Sequence, residues 1–311
     1  MKRFPPEIDR RTALKLLGGL AGSALLPRSL RAEPARLLVR TIPSSGESLP
    51  AIGLGTSRVF DVDESPAARA PLMEVLQALV HAGGSVVDTS PMYGRAEEVV
   101  GDLMASGDLR DRMFVATKVW TSGAESGRQQ MEESMRLLGV KVVDLMQVHN
   151  LLDWEQHLKT LRAWKEEGRI RYLGVTHYRV DAYPALEAIM RSEPLDFVQL
   201  NYSILTPAAE ETLLPLAADR GIAVLVNRPY ENGAVFSRVR GLALPDWAAE
   251  LDIQSWGQFC LKWVLSNPAV TCVIPGTSKP RHMIDNLGAG LGPLPDAEQR
   301  ASMRQILLNA G

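Results

Sequence analysis

The chain has 311 residues, 46% of them hydrophobic and 23% charged, with a formal net charge of −2 at neutral pH. That length suits one large single-core domain, and the near balance of charge gives no footing for a nucleic-acid binder. No apolar run reaches the roughly 18 residues of a membrane-spanning helix. Cys260 and Cys272 both sit in apolar surroundings and read as buried thiols. The five histidines are scattered, with no HxH or HExxH pair, so no ligand set for a metal-dependent barrel hydrolase stands out.

In chain order the first feature is Asp9-Arg10-Arg11-Thr12-Ala13-Leu14-Lys15, followed by a short apolar run from Leu16 to Leu26 broken by Gly18, Gly19 and Gly22. A basic region followed by a short, weakly apolar one is the layout of a signal peptide. It resembles a twin-arginine export signal, with Asp9 and Ala13 where that motif usually has Ser and Phe. The resemblance implies a signal over residues 1–35, cleaved near Ala32, and a mature domain over 36–311. It further implies a protein folded with its cofactor in the cytoplasm. The twin-arginine machinery would then export it to the periplasm or beyond, and the mature form would have no stable membrane span.

Residues 37–49, with turn residues Ser44-Ser45-Gly46-Glu47, predict a β-hairpin. Beyond it, short apolar and β-branched runs predict eight strands at 51–55, 85–88, 113–118, 142–149, 171–176, 196–200, 222–226 and 270–274. Helical spacing fills the gaps. Leu72, Val75, Leu76, Leu79 and Val80 share one helix face ahead of Gly83-Gly84, and Leu158, Leu161 and Trp164 do so ahead of Gly168. Strands alternating with helices eight times predict an α/β fold of the (β/α)8 barrel type. Residues 230–250 stand out as a long connection after the seventh strand, of the kind that often forms a lid. A helix over 296–309 closes the chain.

Barrel enzymes place their chemistry at the carboxyl ends of the strands. Here the second strand ends in Asp88-Thr89, the third in Lys118 and the fourth in His149, with Tyr93 in a tight loop five residues past Asp88. Strands lie about 4.8 Å apart, so a carboxylate, a phenol, an ammonium and an imidazole converge on one patch.

Gly53-Leu54-Gly55-Thr56, Val87-Asp88-Thr89-Ser90-Pro91-Met92-Tyr93-Gly94, Thr117-Lys118 and Gln147-Val148-His149 together resemble, in order and spacing, the signatures of the aldo-keto reductases. The similarity runs from about residue 37 to 309. It implies an oxidoreductase that moves hydride from NADPH, or NADH, to an aldehyde or ketone. In that reading Tyr93 gives the proton, Lys118 tunes it, Asp88 pairs with Lys118, and His149 orients the carbonyl. Phenol titrates near 10, so a nearby ammonium is expected to lower its pKa. A buried lysine in turn needs a carboxylate to stay charged.

The resemblance also implies a cofactor site with Gly55 and Thr56 at one edge. The segment Ile274-Pro275-Gly276-Thr277-Ser278-Lys279-Pro280, running on to His282, Asp285 and Asn286, is similar to the family's segment for the adenosine phosphate. Gly276 and His282 stand where better-known members have a lysine and an arginine. That leaves NADP(H) preferred and NAD(H) as the alternative. Thr176, His177, Gln199 and Asn201 fall where the family holds the nicotinamide amide, with His177 in place of an asparagine. Asn227 takes the place of a stacking aromatic, Arg228 is set to reach the pyrophosphate, and Tyr230 either stacks or packs beneath the 230–250 connection. Trp120 and Trp154 are candidates for an apolar substrate pocket. A different class of function, a sensor that binds the nicotinamide with little turnover, uses the same barrel.

Overall fold

The computed structural model describes residues 36–310. A hairpin of β1 (Val39–Thr41) and β2 (Ser48–Pro50) leads in, antiparallel, with Arg40 opposite Leu49. Then eight strands alternate with helices. In order they are β3 (Leu54–Gly55), α1 (Pro66–His81), β4 (Val86–Asp88), α2 (Ala96–Ser106), β5 (Phe114–Val119) and α3 (Ala124–Leu138). Next come β6 (Val143–His149), α4 (Trp154–Glu166), β7 (Ile170–His177), α5 (Tyr183–Ser192), β8 (Phe197–Asn201), α6 (Leu213–Arg220) and β9 (Ala223–Asn227). The chain continues through α7 (Ala234–Arg238), α8 (Trp256–Leu265), β10 (Cys272–Val273), α9 (Pro280–Gly288) and α10 (Ala297–Asn309).

Strands β3 to β10 form one parallel sheet in chain order, and parallel bridges Ile52–Val273 and Gly55–Gly276 join its two edges. The expected barrel is therefore present, with all eight strands where apolar runs placed them. The two seam strands are shorter than their apolar runs because their pairing is interrupted, and Pro275 between them has no N–H to give. At the seam a Cβ on Gly55 would stand 2.8 Å from the Ile274 carbonyl oxygen, so the backbones meet only because that residue is glycine.

Two apolar cores follow from the alternation of side chains along a strand. Inside the barrel, Val86, Phe114, Leu145, Tyr172, Phe197, Leu225 and Cys272 pack together, and Ile42 and Leu49 of the hairpin join them as a plug. Outside, the opposite strand faces pack against the helices, among them Leu72, Val75, Leu76 and Leu79 of α1. Helix starts are set locally: the Ser65 hydroxyl accepts the Ala68 N–H ahead of α1, and Asp296 and Gln299 form a reciprocal capping box on α10.

The 230–250 connection is not an irregular loop. It carries α7 and a short 3-10 helix over Asp246–Leu251, it buries Val235, Val239, Ala248 and Leu251, and the Trp256 indole N–H donates to Leu242 O at 3.0 Å. Its apolar residues are spaced to pack locally, and periodicity over so short a stretch does not show that in a sequence.

Helices α2 and α3 touch at Gly101, where a Cβ would fall 2.0 Å from the Leu137 carbonyl oxygen. Gly101→Ala is therefore expected to lower stability by about 2 kcal/mol, overpacking outweighing the gain in helix propensity. Urea unfolding checks this, and an unshifted midpoint would mean that the helices have room to separate.

Candidate active site

Along strands β4 to β9 the inward positions change from apolar to polar towards the carboxyl end. On β5 they run Phe114, Ala116, Lys118; on β6 Leu145, Gln147, His149; on β8 Phe197, Gln199, Asn201. The apolar layer fills the barrel, and the polar layer above it forms the floor of the mouth.

Lys118 and Asp88 anchor that floor, both buried. Lys118 Nζ donates to Asp88 Oδ2 and to the Thr89 carbonyl oxygen, each at 2.7 Å. The other carboxylate oxygen, Oδ1, accepts from Gln199 Nε2 at 2.8 Å and Gln147 Nε2 at 3.2 Å. Gln199 Oε1 accepts in turn from Thr176 Oγ1 and from Asn227 Nδ2, both at 3.2 Å. Burial by itself pulls the Lys118 pKa down, but the attraction of Asp88 and then Tyr93 reverses this, and the net direction is up from the usual lysine value.

Tyr93 is half-buried, with Lys118 Nζ 5.0 Å from its ring centroid. Its pKa moves opposite to the expectation from a neighbouring ammonium. Burial raises it, the Lys118 charge lowers it by less, and Asp88 adds to the rise, so the phenol stays protonated at neutral pH. His149 lies edge-on to Tyr93 with ring centroids 5.8 Å apart, and Trp120 is 6.4 Å away on its other side. Burial, with Lys118 and His177 adding repulsion, holds the His149 pKa down at about 2, so the ring is neutral.

Two loops at this mouth hold left-handed backbone on residues other than glycine. Asn150, Leu151 and Asp153 have φ of 53°, 57° and 50° just after His149, and Arg228, Glu231 and Asn232 have φ of 52°, 48° and 52° just after β9. Each costs on the order of 1 kcal/mol, and such clusters mark sites where position matters more than stability.

Of the other predicted site residues, Gly55 and Thr56 brace the back of Asp88. Thr56 N and Oγ1 both donate to the Asp88 carbonyl oxygen at 3.0 Å, and Gly55 pairs with both Asp88 and Gly276. That chain of contacts brings the segment predicted for the cofactor to within one strand of Asp88. Ile274 packs in the barrel interior, Thr277 Oγ1 accepts the Lys279 N–H at 3.0 Å, and Ser278 is half-buried. Gly276, Lys279, Arg281 and His282 are exposed around the start of α9. Asn286 lies deeper, its Oδ1 taken by the Tyr230 hydroxyl at 2.7 Å, while Tyr230 packs on Phe236 at 4.9 Å. Of the two roles open to Tyr230, these contacts are those of packing beneath the 230–250 connection. His177 Nδ1 accepts the Arg179 N–H at 3.1 Å, its ring stacks on Tyr178, and Arg228 lies 5.2 Å over the other ring of that pair. Trp120 is exposed at the mouth, whereas Trp154 packs against the outer core.

Two participants carried no role in the sequence reading. Gln147 lies two residues before His149, on the same strand face, and supports Asp88. Ser90 lies two residues past Asp88 and bonds to His149, with Oγ 3.0 Å from Nδ1. The period of two along β6 was a signal for the first; nothing in the sequence signals the second.

The sequence model for the aldo/keto reductase family matches residues 51–307, which covers the barrel from its first strand to its last helix. The chain belongs to this family. The aldo-keto reductase YhdN of Bacillus subtilis is 27% identical over 201 residues, a match spanning 60% of each chain. The NADH-specific methylglyoxal reductase of Escherichia coli is 25% identical over 315 residues, covering 83% of this chain and 93% of the relative. Among solved structures, an aldo/keto reductase from Klebsiella pneumoniae in complex with NADP and acetate superposes with a TM-score of 0.69 at 26% identity, covering 84% of this chain and 92% of that one.

A neutral buried His149 has a consequence for stability. The unfolded chain binds a proton at this residue below about pH 6.5, whereas the folded chain does so only near pH 2. Stability attributable to the neutral ring is thus complete above pH 6.5 and falls as the pH drops through the range below it, by about 2 kcal/mol at pH 5. Unfolding of the wild type at pH 7 and pH 5, beside His149→Gln, measures it. Equal pH dependence in the two proteins would show the ring to be charged in the fold.

Proposed function

We propose that this chain is an NAD(P)H-dependent reductase of aldehydes or ketones in which Tyr93 gives the proton. One observation carries the reading: a fully buried Lys118 ammonium, held by Asp88 and Thr89, sits beneath the Tyr93 phenol beside His149. A structural ion pair needs no such neighbour. A buried pair is at best weakly stabilising, so its place under a half-exposed phenol points to chemistry.

The chain's residues divide the work. The Tyr93 hydroxyl donates its proton to the carbonyl oxygen as that oxygen gains charge, and Lys118 stabilises the phenolate left behind. Asp88 keeps Lys118 charged, and Gln147 and Gln199 keep Asp88 in place. His149, neutral, offers its ring to the same oxygen. Being half-buried, Tyr93 regains a proton from water.

The mouth also fits a nicotinamide cofactor. Asn201 Oδ1 and Asn227 Oδ1 are buried with no partner among the described residues, and they stand at paired positions of β8 and β9. Two unpaired acceptors there suit the N–H groups of a carboxamide. Thr176 and Gln199 lie beside them, and Arg228 and the Gly276–Lys279 turn at the start of α9 suit phosphate. The cofactor, when bound, supplies the hydride. NADP(H) is the expected form, in keeping with the complex of the Klebsiella relative, and NAD(H) is the alternative, in keeping with the NADH-specific relative.

The twin-arginine reading falls on residues 1–35, outside the described residues, and export by that route belongs to the proposal. Its support is the Arg10-Arg11 motif and the short apolar run after it.

Tyr93→Phe should lower turnover by about 10²- to 10⁴-fold while leaving NADPH affinity unchanged. Loss of 340 nm absorbance with aldehydes and ketones, beside a cofactor titration, reads both. Full turnover in the variant would remove Tyr93 from the mechanism, and tight cofactor binding with no turnover on any carbonyl would favour a sensor. The pH profile of reduction should lack an inflection near 6.5, since His149 stays neutral, and should fall only above pH 10, where the phenol ionises. Replacing both Arg10 and Arg11 by Lys should hold the protein in the cytoplasm; fractionation matching the wild type would sink the export reading.

A further inference from the structure

Ser90 is fully buried and its Oγ lies 3.0 Å from His149 Nδ1. Met92 N–H donates to the same Oγ at 3.3 Å, so the serine oxygen already accepts one hydrogen bond. Ser90 Oγ makes no other hydrogen bond among the described residues. A buried hydroxyl hydrogen left without an acceptor costs roughly 1–3 kcal/mol. Among the described residues the one acceptor it bonds is Nδ1, and Nδ1 can accept only when it carries no hydrogen. The opposite arrangement, with Nδ1–H donating to Ser90, would give Oγ two donors and leave its own hydrogen buried and unpaired.

We propose that Ser90 is a positioning residue for carbonyl reduction: its hydroxyl donates to Nδ1 of His149, which holds the imidazole with its hydrogen on Nε2 and turns that N–H towards the mouth. Nε2 makes no hydrogen bond to any described residue and is not among the buried unpartnered atoms, so it is the ring nitrogen open to substrate. A carbonyl oxygen has two lone pairs. With the hydrogen on Nε2, it meets two donors, the Tyr93 hydroxyl and the His149 N–H. With the other tautomer it would meet a bare nitrogen lone pair, which repels the charge that builds on oxygen during reduction. The inference rests on the reductase reading for its purpose, but the tautomer itself does not depend on turnover.

The tautomer is read directly from the imidazole nitrogen shifts of the full chain labelled with ¹⁵N-histidine, with His149 assigned by loss of its signals in His149→Gln. The expected spectrum has a protonated Nε2 and a bare Nδ1 at neutral pH. Ser90→Ala should move His149 towards a mixture of tautomers. It should also lower kcat for a carbonyl substrate by about tenfold to a hundredfold, below the loss of an entire oxyanion donor, with cofactor affinity unchanged. A merely structural serine would change folding stability without moving the ring's nitrogen shifts. A wild-type ring protonated on Nδ1 overturns the proposal, and so does a Ser90→Ala protein with unaltered shifts and kcat. If the variant does not fold, the wild-type spectrum still decides. An Nε2–H ring in a chain that reduces no carbonyl would overturn the reductase reading and leave the Ser90–His149 tautomer assigned.

Discussion

A lysine ammonium with no access to water organises the mouth of this barrel. Lys118 must stay charged to act on a phenol, and a charge removed from water persists only if its hydrogen-bonding capacity and its charge are both met. Asp88 meets the charge and the Thr89 carbonyl takes a further hydrogen bond, both at 2.7 Å. The carboxylate then has its own second oxygen to satisfy, which brings in Gln147 from β6 and Gln199 from β8. Gln199 draws in Thr176 and Asn227. One buried charge thus ties together seven of the eight strands, counting the seam strand that braces Asp88 through Thr56.

This network also explains the electrostatics above it. Burial of the floor away from water raises the cost of any new charge nearby, so the Tyr93 phenol is held protonated and the His149 ring neutral. Both are then neutral groups rather than ions. The lysine does not pre-ionise the phenol; in the proposed mechanism it stands ready for the phenolate that forms once the proton has gone. That division, a neutral donor at rest and a stabilised anion after transfer, favours binding of the transition state over the ground state.

The fold holds these groups by stiffness on one side and strain on the other. The barrel strands fix Lys118, His149 and Gln199 to within a hydrogen bond, whereas the loops after β6 and β9 adopt left-handed backbone at six residues other than glycine. Those loops flank His149 and Arg228. Their strain is held by contacts such as the Gly123 N–H to Asp153 Oδ2 at 2.7 Å and Ser203 Oγ to Glu231 at 2.8 Å.

Much of this was legible in the sequence for a physical reason. Strands buried on both faces must be apolar, so eight apolar runs mark the barrel, and a polar residue ending such a run marks the mouth proposed as the active site. Asp88, Lys118 and His149 declare themselves by that rule, and the local motifs carry Tyr93. The sequence could not rank opposing effects at one atom. Whether Lys118 lowers the Tyr93 pKa more than burial raises it depends on how much of the ring water reaches. Nor could it show partners set by packing between distant segments. Tyr230 bonds to Asn286 across 56 residues, and Ser90 meets His149 across 59. The 230–250 connection packs upon itself for the same reason. Composition and periodicity determine which residues leave water and which strand face they take; which buried polar atoms then find each other is settled only when the barrel closes and each must be satisfied.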